Sequence, residues 1–481
     1  MTTESCYIDG AWHAPQIPVA HPVIDPSTGD LVDHWALGGL ADVERAVRAA
    51  RAAWPAWAAT PLDERLAVLE RIITQLVAHE PALADAVTRD IGAPVRLARG
   101  AQAPAAATHA RVARAAAEAF PWRTTRGRAA IEYEPIGVCA LITPWNWPLN
   151  QIACKVAPAL AAGCTVILKP SEMAPLSAHR FAEALHAADV PRGVFNLVTG
   201  TGPVAGEALA RHPDVDLVSF TGSTRAGAAV AHAAADRIAR VTQELGGKSA
   251  NLVLDDADLT RAVTQGVRAV LQNSGQSCNA PTRLLVPRHK LADAEEIARS
   301  VVDATVVGDP RDERTHMGPV ASLAQFERVQ GYLALGGQEG ARLVTGGAGR
   351  PAHLEGTACA GGAFVQPTVF SQVHNGMRIA REEIFGPVLC LLPYDTEDEA
   401  VAIANDSPYG LAAYVQSSDA ERALRVARRL RAGNVHLNGA PVDYAAPFGG
   451  YKQSGNGREW GEEGLREYLE VKAILRPASA R

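Results

Sequence analysis

Two residues that can do chemistry together lie in glycine-rich segments of the chain. Cys278 lies in the segment SGQSCN (274–279), and Glu244 lies earlier, in QELGGK (243–248). A cysteine reacts as its thiolate, which requires a partly exposed turn, and Gly275 permits a close approach that a Cβ would block. A nearby carboxylate can serve such a nucleophile as a general base. The pair alone leaves its role open, because most cysteines are buried hydrophobic residues and most carboxylates are solvated.

The composition is that of a large globular protein. The 481 residues are 47% hydrophobic, enough to build the cores of two or three domains. The formal net charge is −6 and the two signs are interspersed, which favours neither a nucleic-acid-binding face nor a membrane-surface patch. No apolar run reaches about 18 residues, and no basic amino terminus precedes an apolar stretch. These features predict a cytoplasmic protein without nucleic-acid or membrane partners.

The seven cysteines are scattered, without the paired spacing of zinc sites or disulfides. Reduced thiols are therefore expected, and no metal site is predicted. Four cysteines have apolar neighbours and are interpreted as core residues: Cys139, Cys154, Cys164 and Cys390. Cys278 lies in a glycine-flanked polar turn, which favours it as the reactive thiol.

Short apolar runs alternate with helical stretches in two successive regions, which predicts parallel sheets covered by helices. In the first region the predicted strands are 138–142, 165–168, 195–198 and 217–220. In the second region the predicted strands are 251–254, 284–286 and 434–438, and the predicted helices are 258–271, 291–302, 323–335, 397–403 and 420–430. Apolar residues at helical spacing predict amino-terminal helices at 43–57, 62–79, 81–90 and 101–119. Two extended segments, 124–134 and 467–475, lie outside both of these alternating regions.

Five further motifs accompany the cysteine and glutamate segments in a fixed order. They are PWNWP (144–148), KPSE (169–172), FTGS (220–223), EEIFGP (382–387) and PFGGYK (447–452), which continues to SGNGRE (454–459). This ordered set resembles the NAD(P)-dependent aldehyde dehydrogenase family, in its bacterial, hydrolytic, non-acylating type, from about Tyr7 to Lys472.

The resemblance implies an α/β fold with two doubly wound domains and a small bridging β segment. Residues 1–118 and 136–246 would form the NAD-binding domain, and 247–447 the catalytic domain that carries Cys278. Residues 119–135 and 465–476 would join subunits, so a homodimer or homotetramer is expected.

Asn146 lies between two tryptophans and two prolines, a rigid apolar frame that would fix its amide. With the backbone N–H of Cys278, this amide could hold the oxyanion of a tetrahedral thiohemiacetal. An asparagine that caps the following helix is the alternative. The resemblance assigns Lys155 and Glu459 to a relay that carries the proton away from Glu244, although each alone could be half of an ordinary ion pair.

Lys169 and Glu172 follow a predicted strand, where a doubly wound sheet places its ligand crevice. A glutamate there can accept hydrogen bonds from ribose hydroxyls and would repel a 2′-phosphate, so NAD is favoured and NADP is the weaker alternative. The stretch GTGPVAG (200–206) departs from the dinucleotide fingerprint and fits a nucleotide contact or a simple turn equally well. The FTGS turn is better placed to present amides and a hydroxyl to a pyrophosphate.

The resemblance implies a wider set of cofactor contacts, in which Glu383 holds the nicotinamide ribose and Phe385 walls the ring. The set comprises Ile142, Trp145, Lys169, Glu172, Gly202, Phe220, Thr221, Gly222, Ser223, Leu245, Glu383 and Phe385.

The expected function is NAD-dependent oxidation of a small-molecule aldehyde through a thiohemiacetal and a thioester on Cys278. Glu244 would activate the water that hydrolyses the thioester, and its presence favours hydrolysis over acyl transfer to coenzyme A. Two alternatives are a cofactor-independent thiol hydrolase and a non-enzymatic scaffold on the same fold.

The residues expected to line the aldehyde tunnel mix aromatic, amide and small polar groups. They are Trp147, Gln151, Ser277, Asn279, Val442, Tyr444 and Phe448. These positions contain neither an arginine nor an acidic pair, and the stretch 434–474 looks closest to members acting on hydrophobic aldehydes. A hydrophobic aliphatic or aromatic aldehyde is therefore favoured over an amino- or semialdehyde.

Overall fold

The structure is a computed structural model that describes residues 4–477, so the first three residues of the predicted segment 1–118 lie outside it. The strands of the first half are β1 (Cys6–Ile8), β2 (Ala11–His13), β3 (Val19–Ile24), β4 (Leu31–Leu37), β5 (Arg123–Arg126), β6 (Ala129–Pro135), β7 (Val138–Ile142), β8 (Thr165–Lys169), β9 (Phe195–Leu197), β10 (Leu217–Thr221) and β11 (Arg240–Glu244). The helices there are α1 (Leu40–Ala59), α2 (Leu62–Ala78), α3 (Glu80–Ile91), α4 (Val95–Leu97), α5 (Ala103–Ala119), α6 (Pro148–Ala162), α7 (Pro175–Ala187), α8 (Glu207–Arg211) and α9 (Thr224–Ala235).

The second half has the same alternation. Its strands are β12 (Ala250–Val253), β13 (Arg283–Pro287), β14 (Arg342–Thr345), β15 (Thr368–Ser371), β16 (Val388–Tyr394), β17 (Ala412–Gln416), β18 (Asn434–Leu437), β19 (Gly455–Asn456) and β20 (Leu469–Leu475). Its helices are α10 (Leu259–Leu271), α11 (Leu291–Asp303), α12 (Leu323–Gln338), α13 (Arg378–Arg381), α14 (Glu397–Asn405), α15 (Ala420–Ala427) and α16 (Gly461–Arg466).

The first sheet has eight strands in the order β19-β11-β10-β7-β8-β9-β1-β2. Its five central strands run parallel, and antiparallel strands close both edges. The four strands predicted for this region are confirmed as β7, β8, β9 and β10. Since parallel strands end at the same edge, this sheet aligns the carboxyl ends of β7, β8, β10 and β11.

The second sheet has seven strands in the order β14-β15-β16-β13-β12-β17-β18, parallel except for the β14–β15 pair. The predicted strands at 251–254, 284–286 and 434–438 are confirmed as β12, β13 and β18. Two doubly wound layers are therefore present, as predicted, whereas the exact division of the chain into domains stays a prediction. The segment that carries Cys278 connects α10 to β13.

A separate antiparallel sheet, in the order β20-β6-β5, contains the two predicted extended segments, 124–134 and 467–475. Strand β20 is an edge strand, and Val471, Ile474 and Leu475 on it are exposed. Exposed apolar residues on an unpaired edge are typical of a surface that meets another chain. The joining of subunits through this sheet stays a prediction.

None of the helices within residues 4–477 combines the length and the apolar character needed to span a bilayer.

Candidate active site

A strained turn positions the candidate nucleophile. After α10, Asn273 and Ser274 adopt left-handed backbone conformations with φ of 51° and 56°, and Gly275 follows with φ of 75°. A Cβ on Gly275 would lie 2.6 Å from the backbone nitrogen of Pro387. The turn that carries Cys278 therefore packs directly, backbone against backbone, on the loop that follows Glu383 and Phe385.

Cys278 is half-buried, whereas the six other cysteines are buried, including the four predicted core cysteines. Burial raises the pKa of the Cys278 thiol, and the carboxylates of Glu383, Glu244 and Glu459 raise it further. The thiol is consequently protonated at neutral pH, and the reactive thiolate gains population as the pH rises. A proton acceptor is needed before the sulfur can attack.

Asn146 is hydrogen-bonded to the nucleophile turn in both directions. The side-chain Nδ2 of Asn146 donates to the backbone carbonyl of Gln276 over 3.0 Å. The backbone carbonyl of Asn146 accepts from Nδ2 of Asn273 over 2.8 Å. The alternative role as a helix cap is not observed, because α6 begins after Trp147 and no side chain caps it. The amide is thus fixed two residues from Cys278, where a developing oxyanion could reach it.

Glu244 is the last residue of β11 and is almost completely buried. Neither of its carboxylate oxygens has a hydrogen-bond partner among residues 4–477. Burial raises its pKa well above the usual range and Glu459 adds to this, while Lys155 and Arg458 oppose it. A Cβ on Gly449 would lie 2.6 Å from Oε1, so this glycine leaves room for the carboxylate. Glu244 is therefore a buried carboxyl group without a hydrogen-bond partner among the described residues, and its raised pKa makes its ionised form a stronger proton acceptor than a solvated glutamate.

Lys155 and Glu459 form a buried ion pair behind Glu244. The Lys155 ammonium also donates to Oγ of Ser219 over 3.0 Å, and the thiol of Cys154 donates to Glu459 over 3.3 Å. Burial alone would lower the pKa of Lys155, but the Glu459 carboxylate outweighs burial and raises it. The pair is coupled electrostatically to Glu244, as a relay requires.

The carboxyl ends of four parallel strands form the predicted cofactor edge. Ile142, Lys169, Thr221 and Glu244 end β7, β8, β10 and β11 respectively. Lys169 is buried and donates to the carbonyl of Gly200 over 2.7 Å and to Glu172 over 3.3 Å. Burial lowers the pKa of Lys169, and Glu172 opposes that effect.

Some polar groups at this edge lack hydrogen-bond partners among residues 4–477. The hydroxyls of Thr143 and Thr221, after β7 and at the end of β10, are buried and have no hydrogen-bond partner among the described residues. Ser223 caps α9 by accepting from the amide of Ala226 over 3.3 Å. Unpaired hydroxyls beside a helix N-terminus fit a polar, anionic ligand such as a pyrophosphate.

Other predicted contacts surround this edge. Phe220 and Leu245 are buried, and a Cβ on Gly222 would meet the Phe220 ring at 2.6 Å. Gly202 opens a π-helical turn that leads into α8, and nothing would lie within 4 Å of a Cβ there. The segment is thus a turn before a helix, with open space beside Gly202.

Glu383 and Phe385 reach the same region from the second half of the chain. Oε1 of Glu383 accepts from the amide of Gly247 over 3.1 Å, and burial raises the pKa of this carboxyl to about 7. Phe385 has a φ of 62°, and its ring meets Trp145 edge-on with the centroids 5.5 Å apart. The two predicted cofactor segments, PWNWP and EEIFGP, are therefore in contact.

A cavity of about 640 Å³ opens beside Cys278. It is lined by all seven residues predicted for the aldehyde tunnel, Trp147, Gln151, Ser277, Asn279, Val442, Tyr444 and Phe448. It is also lined by residues that the sequence motifs did not indicate, among them Asn150, Gln265, Arg268, Gln272, Tyr414, His436 and Trp460. The seven predicted positions contain no arginine, but another part of the cavity wall does, at Arg268.

Aromatic rings form the part of the wall next to the thiol. Phe448 stacks on Trp460 with centroids 4.4 Å apart, and Tyr444 meets Trp460 edge-on at 5.1 Å. Behind them, His109 of α5 meets Tyr444 at 4.6 Å and shares a 2.7 Å hydrogen bond with Asn150. Burial lowers the pKa of His109 to about 4, so this ring is neutral and supports the wall.

We expect Gly275→Ala to lower both stability and activity. An alanine at this φ is strained, and its Cβ would collide with the backbone at 386–387, so a cost of about 2 kcal/mol or more is expected. Gly331→Ala is the matched control, because Gly331 lies inside α12 with nothing within 4 Å of a Cβ. The control should gain up to about 1 kcal/mol. Melting temperatures and initial rates check this, and equal values for both variants would contradict the backbone contact.

Comparison with known proteins agrees with this geometry. The model of the Aldehyde dehydrogenase family matches residues 12–474. The chain is 54% identical over 470 residues to a 3-succinoylsemialdehyde-pyridine dehydrogenase from a Pseudomonas species, covering 98% of each chain. It therefore belongs to the aldehyde dehydrogenase family.

Solved structures extend the likeness to the fold. A mutant of aldehyde dehydrogenase C from Pseudomonas syringae, in complex with NAD+ and octanal, is 55% identical with a TM-score of 0.97, covering 100% of this chain and 98% of that one. An aldehyde dehydrogenase from Mycobacterium tuberculosis, complexed with NAD+, is 39% identical with a TM-score of 0.96, covering 100% and 99%. The α/β fold with two parallel-stranded sheets is that of the family.

Proposed function

We propose that this protein oxidises an aldehyde to its carboxylic acid with NAD, using Cys278 as nucleophile and Glu244 as general base for hydrolysis. The observation that carries the proposal is the grouping of three features: a half-buried thiol, an amide fixed by the same turn, and a buried carboxylate whose oxygens are unpaired. Each feature answers one requirement of covalent aldehyde oxidation.

NAD fits the residues at the strand ends of the first sheet. The unpaired hydroxyls of Thr143 and Thr221 and the start of α9 would hold its phosphates, and Glu172 would hold the adenosine ribose. Glu383 and Phe385 would hold the nicotinamide half. When bound, NAD would supply the hydride acceptor that turns a thiohemiacetal into a thioester. The structures of two similar proteins that contain NAD+ support this choice.

The chain's own residues perform the remaining steps. The Cys278 sulfur adds to the carbonyl carbon, and its proton leaves to solvent through a base. Nδ2 of Asn146 and the Cys278 amide donate to the oxyanion that forms. Glu244 then takes a proton from water, and the resulting hydroxide attacks the thioester and releases the acid. The Lys155–Glu459 pair would pass that proton onward.

A cofactor-independent thiol hydrolase would use Cys278 and Glu244 but would leave the strand-end groups without a purpose. A non-enzymatic scaffold would need neither the Cys278–Glu244 pair nor the strand-end groups. Formation of NADH from an added aldehyde separates the three functions, because only a dehydrogenase produces it. Absence of NADH with every aldehyde in a panel of varied chain length and charge would overturn the proposed function.

For the substrate, we infer an aldehyde whose carbon chain is apolar next to the carbonyl. The rings of Trp147, Tyr444, Phe448 and Trp460 surround the space beside the thiol and favour apolar groups there. The octanal complex of a similar protein supports this. The semialdehyde in the name of another similar protein points to a polar group farther along the molecule.

We expect NAD to give a higher kcat/KM than NADP, because Glu172 beside Lys169 would repel a 2′-phosphate. Glu172→Ser should raise the kcat/KM for NADP and so lower the ratio of kcat/KM for NAD to that for NADP. The expected change is about tenfold, for a lost charge repulsion of about 1 to 2 kcal/mol. Initial rates of reduced cofactor formation at saturating aldehyde measure both ratios. Equal use of the two cofactors by the native enzyme would mean that Glu172 does not face the ribose.

The subunit contacts are part of the same proposal. The exposed apolar residues of β20 would pair with another copy of the chain, giving a homodimer or homotetramer, and the mass in solution measures this. The cytoplasmic location expected from the sequence stays a prediction.

A further inference from the structure

One face of α10 gives the substrate cavity a polar strip. Gln265, Arg268 and Gln272 all line the cavity, and their spacing of three and four residues places them on the same side of the helix. At the rise of an α-helix, the strip spans about 10 Å along the axis. Its Gln272 end leads into the turn that carries Cys278, so Arg268 and Gln265 lie successively farther along the helix from that turn.

The charge of Arg268 has no partner in the part of the chain that the structure describes. Its guanidinium forms no ion pair and donates no hydrogen bond to any residue in 4–477, and the side chain is exposed. None of the described residues that line this cavity is acidic. A neighbouring cavity of about 1130 Å³ shares Arg268 and Gln272, and its one acidic lining residue, Glu296, is paired with Arg299 at 2.6 Å. The positive charge at Arg268 is therefore available to a ligand.

Two other polar residues that line the cavity can also donate hydrogen bonds to an acceptor on a ligand. Amide groups of Gln265 and Gln272 flank Arg268 on the same helix face, and each supplies N–H donors. A carboxylate accepts from a guanidinium and from such amides at once, whereas an ammonium group would be repelled. The aromatic wall packs next to the thiol, so the cavity combines an apolar wall beside Cys278 with a cationic group on α10.

We propose that Arg268 is a specificity-determining residue that selects aldehydes with a carboxylate at the end remote from the carbonyl. The inference rests on the proposed aldehyde oxidation and adds the chemical class of the substrate. The carbon chain between the two groups lies along the aromatic wall, and Gln265 and Gln272 assist the guanidinium in binding the carboxylate.

The test compares ω-oxo-carboxylates of four to eight carbons with their methyl esters and with unbranched alkanals of the same length. The native enzyme should prefer the carboxylate over the ester at one or more lengths. Arg268→Met should lower kcat/KM for that carboxylate about tenfold, since a hydrogen-bonded ion pair at an exposed site is lost, and should leave the ester and alkanal within about threefold. Higher salt should weaken the native preference.

Two further variants separate charge from structure. Arg268→Lys should restore part of the carboxylate preference, because the charge remains and the paired donors do not. Arg261→Met is the matched control: it removes the same charge from the same helix at a position that does not line this cavity, so it should behave as native.

Two results would overturn the proposal for Arg268 while leaving aldehyde oxidation intact. One is a native enzyme that oxidises alkanals and shows no preference for a carboxylate over its ester at any length. The other is an Arg268→Met variant that loses carboxylate, ester and alkanal oxidation equally. If the native enzyme oxidised none of these aldehydes with NAD, the proposed function would fail first, and the assignment of Arg268 with it.

Discussion

Replacement of Cys278 by alanine is expected to reduce aldehyde oxidation below about one per cent of the native rate, because covalent catalysis contributes many orders of magnitude. The loss is chemical, since the side chain is half-buried and removal of one sulfur atom leaves the turn in place. The melting temperature and the NAD affinity should remain close to native. Initial rates, thermal melting and NAD titration measure the three quantities.

Cys359→Ala is the matched control for this variant. Cys359 is buried away from the cavity and should tolerate alanine with native activity. A Cys278→Ala enzyme that kept more than about one per cent of native activity would show that the nucleophile is another group.

Replacement of Glu244 by glutamine is expected to stop turnover after a single oxidation at each site. The amide keeps the size of the side chain but cannot take a proton from water, so the thioester should accumulate on Cys278. Rapid mixing with excess aldehyde and NAD should give a burst of NADH of no more than one equivalent per active subunit. A much slower steady rate should follow.

The burst also separates the possible roles of this carboxylate. Turnover at the native rate would mean that Glu244 is structural. Loss of the burst would mean that Glu244 is already needed to deprotonate the Cys278 thiol, whose pKa burial raises. The role in hydrolysis holds only if the burst survives and the steady rate falls.

The sequence predicted best where the signal is local. Four of the five central strands of the first sheet are short, apolar and bounded by turns, and these four, β7, β8, β9 and β10, appear where this pattern places them. The fifth, β11, has the mostly polar sequence RVTQE and gave no such signal. Strands β3 and β4 lack such a signal, because β3 is largely exposed, β4 is exposed at its start and buried at its end, and neither alternates. Strand β19 has two residues and joins the first sheet only through a long-range antiparallel contact with β11.

The residues of the candidate site also differ in whether a local sequence signal marks them. Cys278 and Asn146 are marked by unusual neighbours along the chain, glycines in one case and tryptophans with prolines in the other. His109 and Arg268 carry no such mark, because each is one of several polar residues in a regular helix. The contact of His109 with Tyr444 and the position of Arg268 in the cavity depend on how α5 and α10 pack, which apolar spacing alone does not determine.

The central claim is that an acyl group passes through Cys278 and leaves by hydrolysis at Glu244. The most direct measurement is peptide mass spectrometry of the Glu244→Gln enzyme, quenched in acid after it has reacted with aldehyde and NAD. The account predicts that the peptide containing Cys278 gains the mass of the acyl group in proportion to the NADH formed in the burst. NADH formed without an acyl group on Cys278, or with the acyl group on another residue, would contradict it.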